Sequence, residues 1–306
     1  MIISEKRQAE SILFLKNIFS GLFPVLTVIA YTNHLSPLST LAWSYVVATI
    51  FFAIILTVQK EWKENITNVQ AIRDVALATL FIAIVYHLFY YTALTFTSPQ
   101  NVALIGLTEA AFSFIIIGWI AKKEPVSRKH LFGAMLMLFA AGVVLFNNNQ
   151  TAINIGDSLM LCAAIIAPIG NIFAKKALHQ VSLFYLMFIR SFAGVIIFFS
   201  ASLIFEKTIP FEVILKSSPY LLYSGLVFLG LMKMVNLFSF KKTSVTHTIS
   251  FNSLAPVFTF IFAWMILKNA PNTVQIFAII PSLLGLFLLT TAKQKQTQYG
   301  FEKYSN

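Results

Sequence analysis

The chain has 306 residues, 58% of them hydrophobic and 11% charged, with a mean hydropathy of +0.80. Soluble domains are nearer half apolar and about a quarter charged, so a soluble fold is excluded and a polytopic membrane protein is expected. The formal net charge of +11 comes from short basic clusters between apolar runs, a pattern that orients membrane spans rather than binding nucleic acid.

The polar start "MIISEKRQAE" leads into an apolar segment without a small-residue cleavage site, so the first span reads as an uncleaved helix. A spanning helix needs about 20 apolar residues. Ten stretches qualify: roughly 12–31, 38–58, 73–95, 100–121, 130–147, 157–178, 183–205, 219–240, 247–267 and 274–292. The connections are short, and none is long enough for a soluble domain. The tail 293–306 is polar, and fraying is expected there. The lone cysteine, Cys162, lies within an apolar run and reads as a packing residue; it permits no intrachain disulfide.

Lysine and arginine set the expected orientation. With the N-terminus inside, sixteen basic residues fall in inner segments and three, Lys207, Lys216 and Lys268, in outer loops. Both termini are therefore expected in the cytoplasm, with the chain in the inner membrane. Lys16, one turn into the first span, is expected to snorkel to the interface. Trp43, Trp119 and Trp264 are candidate interface anchors, and Glu124 is expected to pair locally among Lys122, Lys123 and Arg128.

The halves overlay. "TSPQNVALIGLTEAAFSFIIIGWIAKKEP" from Thr97 aligns with "TSVTHTISFNSLAPVFTFIFAWMILKNAP" from Thr243, an offset of 146, and near the second and seventh spans the offset is about 145. Residues 1–150 and 151–292 then each hold five helices. An odd number of spans inverts the second repeat, so the expected fold is an all-α membrane protein of two inverted five-helix repeats, with a substrate site near the midplane between them.

The same stretches carry a resemblance. "YYTALTFTSPQNVALI" and "LTEAAFSFIIIGWIAKKEPVSRKHLFGAMLMLFAAGVVL" in the first half, and "GDSLMLCAAIIAPIGNIFAKKAL", "SLFYLMFIRSFAG" and "LAPVFTFIFAWMIL" in the second, resemble the ten-helix EamA-like branch of the drug/metabolite transporter superfamily. Glu124, Gly133, Gly142, Arg190 and Pro256 match the family's pattern. Asn269-Ala270-Pro271, Tyr45 and Ala110 depart from it at the repeat-related positions. The resemblance implies a secondary transporter, often an exporter of amino acids or other small metabolites.

Three ionisable residues fall near mid-bilayer depth. Glu109 lies about 14 Å along its helix from the outer end, His87 about 12 Å from the same side, and Lys233 about 11 Å from the inner end. An intramembrane charge is expensive and marks a functional site or a structural pair. Glu109 is thus a candidate for binding an ammonium or a coupling proton, Lys233 for a carboxylate, and His87 for either. The alternative is a structural ion pair from Glu109 to Lys233 or His87. Helical spacing adds Asn101 and Ser113 beside Glu109, Thr248, Asn252 and Thr259 on the ninth helix, Tyr90 and Tyr91 beside His87, and Asn236 beside Lys233. Interhelical hydrogen bonding is the competing role for the Asn and Thr residues. Pro24 and Pro168, mid-helix at nearly equivalent repeat positions, are candidate hinges. Arg190 is assigned an inner gate or a structural role.

No phosphate-cradling loop, G-x-S-x-G elbow or H-E-x-x-H motif occurs. No cofactor or metal is expected, and the expected partners are a small-molecule substrate, the bilayer and coupled protons. A rival substrate class is anionic metabolites, phosphorylated or carboxylated, drawn along Lys16, Arg190 and Lys233. An integral membrane enzyme acting on lipid would need an interfacial catalytic constellation, and a scaffold would need larger loops; the sequence offers neither.

Overall fold

A computed structural model describes residues 2–63, 68–120, 127–146, 154–206, 209–242 and 245–291. It is helical throughout, with no strand among the described residues. Ten helical rods form the bundle: α1 (Ile2–Thr32), α2 (Pro37–Gln59), α3 (Val69–Phe96), α4 (99–120), α5 (Arg128–Phe146), α6 (Ile155–Ala177), α7 (Leu183–Phe205), α8 (218–242), α9 (245–267) and α10 (Thr273–Thr291). Among the described residues, eight are long and apolar enough to span a membrane, and α9 and α10 supply the shorter apolar helices Ala255–Leu267 and Thr273–Leu289. The protein is an all-α, multi-pass membrane protein of two inverted repeats.

Helix ends follow local chemistry. Asn68, Ser98, Asn154 and Ser182 stand just before α3, α4, α6 and α7, and each side chain accepts a backbone N–H from the first turn. Lys60 and Lys268 close α2 and α9 in the left-handed conformation, with φ of 58° and 56°. A short helix absent from the sequence expectations, Phe211–Lys216, precedes α8.

The repeats pair like with like: α2 packs along α7, and α5 along α10. Between α5 and α10, a Cβ on Gly133 would sit 2.8 Å from the Gly285 carbonyl oxygen, and one on Gly285 2.6 Å from that of Gly133. The two glycines let the backbones meet, as in membrane helix pairs generally. Outward faces carry bare apolar side chains such as Ile54, Phe139 and Leu284. Cys162 joins them: it is exposed on α6 and packs no core. Trp264 is 61% exposed, whereas Trp43 lies edge-on to Phe199. Glu124 and the Trp119 side chain lie outside the described residues.

Several rods are irregular where sequence periodicity expects plain helix. α3 contains a π-helical segment, Thr79–Tyr86, and α8 contains another, Tyr223–Met232. They end immediately before His87 and Lys233, which are repeat equivalents. α4 is interrupted at Leu107 and turns π-helical from Phe114. α9 is interrupted at Ser253-Leu254. Leu107 and Ser253 are also 146 residues apart, so the interruption belongs to the fold. In α9 Pro256 stands at the start of the helix after the break, where its missing N–H leaves the carbonyl of Asn252, four residues earlier, without its usual helical donor. At the break the Phe251 carbonyl accepts from Leu254 N at 3.4 Å and from Asn17 Nδ2 of α1 at 2.9 Å. By contrast, α1 and α6 stay helical through Pro24 and Pro168.

Candidate functional site

The two interrupted helices face one cavity of about 170 Å³. Repeat one contributes Val102, Gly106, Leu107 and Glu109 from α4, with Tyr86 and Tyr90 from α3 and Lys16, Ser20 and Pro24 from α1. Repeat two contributes Asn171, Arg190, Phe228, Lys233 and Asn236 from α6 to α8, and Asn252, Pro256 and Thr259 from α9. Discontinuous helices at a repeat interface are the usual way a membrane protein exposes polar backbone and side chains at mid-depth.

Glu109 sits in the first turn after the α4 interruption and borders the cavity. Its carboxylate accepts a hydrogen bond from Asn171 Nδ2 at 3.2 Å. No ion pair within 4.0 Å joins it to Lys233 or Lys16 among the described residues. The alternative of a direct structural salt bridge therefore does not hold in this conformation. Lys233 Nζ instead lies 5.1 Å from the ring centroids of both Tyr86 and Phe228, a cation held by π faces. Phe228 is itself stacked on Phe23, centroids 3.5 Å apart.

Lys16 departs from expectation. It does not snorkel: it is 5% exposed, and its ammonium donates to Asn252 Oδ1 at 2.5 Å. Asn252 Nδ2 in turn donates to Asn236 Oδ1 at 3.1 Å, linking α1, α9 and α8 in one polar chain. Asn252, nominated by helical spacing, borders the cavity at the end of the helical segment before the α9 interruption.

His87 does not border the larger cavity. It lines a second, water-sized space of about 10 Å³ with Tyr45, Ala83, Arg190, Leu229 and Lys233. Tyr45 with Arg190, His87 with Lys233, and Ala83 with Leu229 are repeat-related pairs, offset by 145 or 146, so the pseudo-two-fold axis passes through this spot. Proton counting fixes the histidine's role. Tyr45 has one hydroxyl proton, and the Ala83 carbonyl at 2.7 Å can only accept it. The 2.6 Å contact between Tyr45 and His87 must then be donated by Nδ1–H of the ring. Nε2 is left as a lone pair, buried and without a partner. Arg190, 5% exposed, borders both spaces, and its Nε also has no partner.

A model of the EamA-like transporter family matches twice, over residues 8–146 and 154–291. The chain belongs to the EamA-like transporter family. It is a transporter, not an enzyme. Relatives of this EamA-like transporter include an uncharacterized transporter of Synechocystis sp., 27% identical over 67% of this chain. That match spans 63% of the Synechocystis protein's own length. An uncharacterized transporter of Methanothermobacter thermautotrophicus is 24% identical over 89% of this chain and 83% of its own. An Escherichia coli protein described as "Probable amino-acid metabolite efflux pump" is 31% identical over 39% of this chain and 41% of its own. A solved crystal structure superposes with a TM-score of 0.70 at 14% identity, covering 93% of this chain and 96% of that one, which shows the shared fold.

The remaining expected residues divide around this site. Tyr90, Asn236, Asn252, Thr259 and Pro24 border the EamA-like transporter's cavity; Tyr91, Asn101, Ser113, Thr248 and Pro168 do not. Tyr91 is fully buried, with its hydroxyl 2.8 Å from Ser224 Oγ. Ser113 and Thr248 are buried away from the cavity, as is Pro168. Asn101 belongs to a separate polar cluster where α4, α6 and α10 begin. There its amide reaches Asp157 at 3.4 Å and accepts from Gln275 Nε2 at 2.8 Å, while Thr97 Oγ1 donates to Asp157 at 2.5 Å. The competing role, interhelical hydrogen bonding, describes Asn101. Tyr86 and Phe228 were absent from the sequence-derived set, although Tyr86 stands one turn from Tyr90.

Proposed function

We propose that this protein is a secondary transporter that exports amino acids or closely related small metabolites by alternating access, in the inner membrane and with both chain ends in the cytoplasm. The observation that carries the reading is the single cavity shared by both repeats. It holds a carboxylate, Glu109, and an ammonium, Lys233, with no direct ion pair between them. Opposite charges held apart across a mostly apolar pocket suit a substrate that bears both an amino and a carboxylate group. The description of the E. coli relative supports an amino-acid metabolite as cargo. The imbalance between the two sides of each repeat supports the orientation. A substrate or proton gradient supplies the energy, and the interrupted helices α4 and α9 provide the moving parts.

The test is flux into proteoliposomes from an amino-acid panel, with and without a pH gradient. Glu109→Gln is expected to reduce transport at least tenfold while its melting curve stays within 2 °C of wild type, since about 1.4 kcal/mol of lost binding or barrier stabilisation is a factor of ten. Normal flux through Glu109→Gln would remove this carboxylate from the mechanism.

A further inference from the structure

Three cationic side chains, Lys16, Lys233 and Arg190, border the cavity against one carboxylate, Glu109. All four come from membrane-spanning segments, and two of the cations, Lys16 and Arg190, are 95% buried. Their present partners are neutral. Lys16 has an amide oxygen, Lys233 has two aromatic faces, and Arg190 Nε has none. Cations away from water are normally balanced by anions, and Glu109 balances only one of the three. A neutral amino acid, carrying one charge of each sign, would leave the excess positive charge unchanged.

Size narrows the cargo further. A cavity of about 150 Å³ accepts a benzene-sized ligand, and this one is about 170 Å³. A compact acid of short chain fits that space.

Taking the transport reading above as its basis, we infer that the substrate is a small acid with two carboxylate groups, one held by Lys16 and Lys233 and the other directed toward Arg190. Glu109, which accepts only from Asn171, is left to receive an amino group if the acid has one. Lys16 is the decisive residue. Its side chain is drawn inward from α1 to the polar chain of Asn252 and Asn236, although a lysine one turn into a span normally reaches outward. Two neutral asparagines orient its ammonium without neutralising it.

The experiment is equilibrium binding to the full chain in lipid nanodiscs, using glutamate, glutarate, glutamine and phenylalanine. Glutamate and glutarate share the two carboxylates and differ in the amino group; glutamine removes one charge from the same skeleton. At least one diacid is expected to bind ten times more tightly than glutamine or phenylalanine. Glutamate ahead of glutarate assigns the amino group to Glu109; the reverse order or equality leaves Glu109 neutralising a lysine. In Lys16→Met and Lys233→Met the preference of diacid over glutamine should fall below threefold, and Lys233→Arg should restore it. Melting curves identify any variant that fails to fold, in which case the wild-type ligand ranking decides. Glutamine or phenylalanine binding within threefold of both diacids overturns the inference, as does silence of both diacids. Flux of neutral amino acids in proteoliposomes separates the readings: such flux without diacid binding defeats this inference and leaves the transporter intact. Absence of flux for the whole panel defeats the amino-acid export reading itself.

Discussion

Glu206 carries a stability prediction that can be worked from its contacts. It follows the last residue of α7 and sits at the start of α2. Its carboxylate accepts from Ser36 Oγ at 2.5 Å, Leu38 N at 2.8 Å, Ser39 N at 2.8 Å and Ser39 Oγ at 2.9 Å, with Ser202 Oγ at 3.3 Å. Ser36 occupies the capping position of α2 but makes no capping bond, so the carboxylate of the neighbouring helix does that work. A hydrogen bond to a charged group contributes about 1.5–3 kcal/mol, and an anion at a helix N-terminus up to about 2 kcal/mol in partly buried settings. These contributions overlap, and water can reach the half-buried site when the side chain is removed. A net loss of about 2–3 kcal/mol is therefore expected for Glu206→Ala. At roughly 2 °C per kcal/mol for a large domain, the melting temperature should fall about 4–6 °C. Glu206→Gln keeps one acceptor oxygen but turns an NH2 group toward N–H donors, so about half that loss is expected. Intrinsic tryptophan fluorescence in detergent is the suitable readout. A thiol-reactive dye is not, because Cys162 is exposed before unfolding. A Glu206→Ala shift under 1 °C would refute the claim that this carboxylate fastens α7 to α2.

Two further substitutions test the packing and the axis. A Cβ on Gly225 of α8 would lie 2.5 Å from Val47 Cβ and 2.6 Å from the Ser44 carbonyl oxygen, so Gly225→Ala should cost about 1–3 kcal/mol by overpacking, seen as a melting temperature lowered by several degrees. His87→Phe should lower stability by about 1–3 kcal/mol, because the buried Tyr45–His87 bond is lost, while substrate affinity changes less than threefold. A tenfold loss of affinity at unchanged stability would return His87 to the binding site.

How far the sequence could be read depends on what each feature needs. Ten spans and an inverted duplication follow from apolar length and from an offset that repeats in two places, both properties of the chain alone. Glu109 and Lys233 could be nominated because depth along a helix follows from a fixed rise per residue, and Asn236 and Asn252 because helical spacing sets which residues share a face. Depth does not give azimuth where a helix is irregular. Tyr86 and Tyr90, four residues apart, share the face that borders the cavity, whereas His87 and Tyr91, each one residue further on, share the neighbouring face behind it. Lys16 shows a related limit: its sequence position allowed snorkelling, and its inward partner, Asn252, lies on another helix 236 residues along the chain. Glu206 was invisible for a different reason, since a residue in a loop gives no clue to which helix end lies beside it.

The duplication also bears on mechanism. Two kinds of backbone irregularity follow the pseudo-symmetry, the π segments in α3 and α8 and the interruptions at Leu107 and Ser253, whereas the π segment from Phe114 in α4 is matched by plain α-helix in α9. The charged chemistry does not. Glu109 is matched by Ala255, Lys233 by His87, and Arg190 by Tyr45, and Pro256 stands where the first repeat has Ala110. Under the alternating-access reading proposed above, a symmetric set of loosened backbones would let the two repeats exchange conformations at similar cost, and an asymmetric set of side chains would give one binding site instead of two. His87 and Lys233 show the division most directly, because the same backbone position supplies a neutral ring hydrogen-bonded to Tyr45 in one repeat and an ammonium facing the cavity in the other. Had both positions been lysine, two ammonium groups would face each other across the axis with no carboxylate within 4 Å to balance them, and like charges in a low-dielectric interior repel strongly. The histidine lines the small space shared with Lys233, and with one ring nitrogen bonded to Tyr45 and Nε2 unpartnered it keeps the axis polar without a second ammonium.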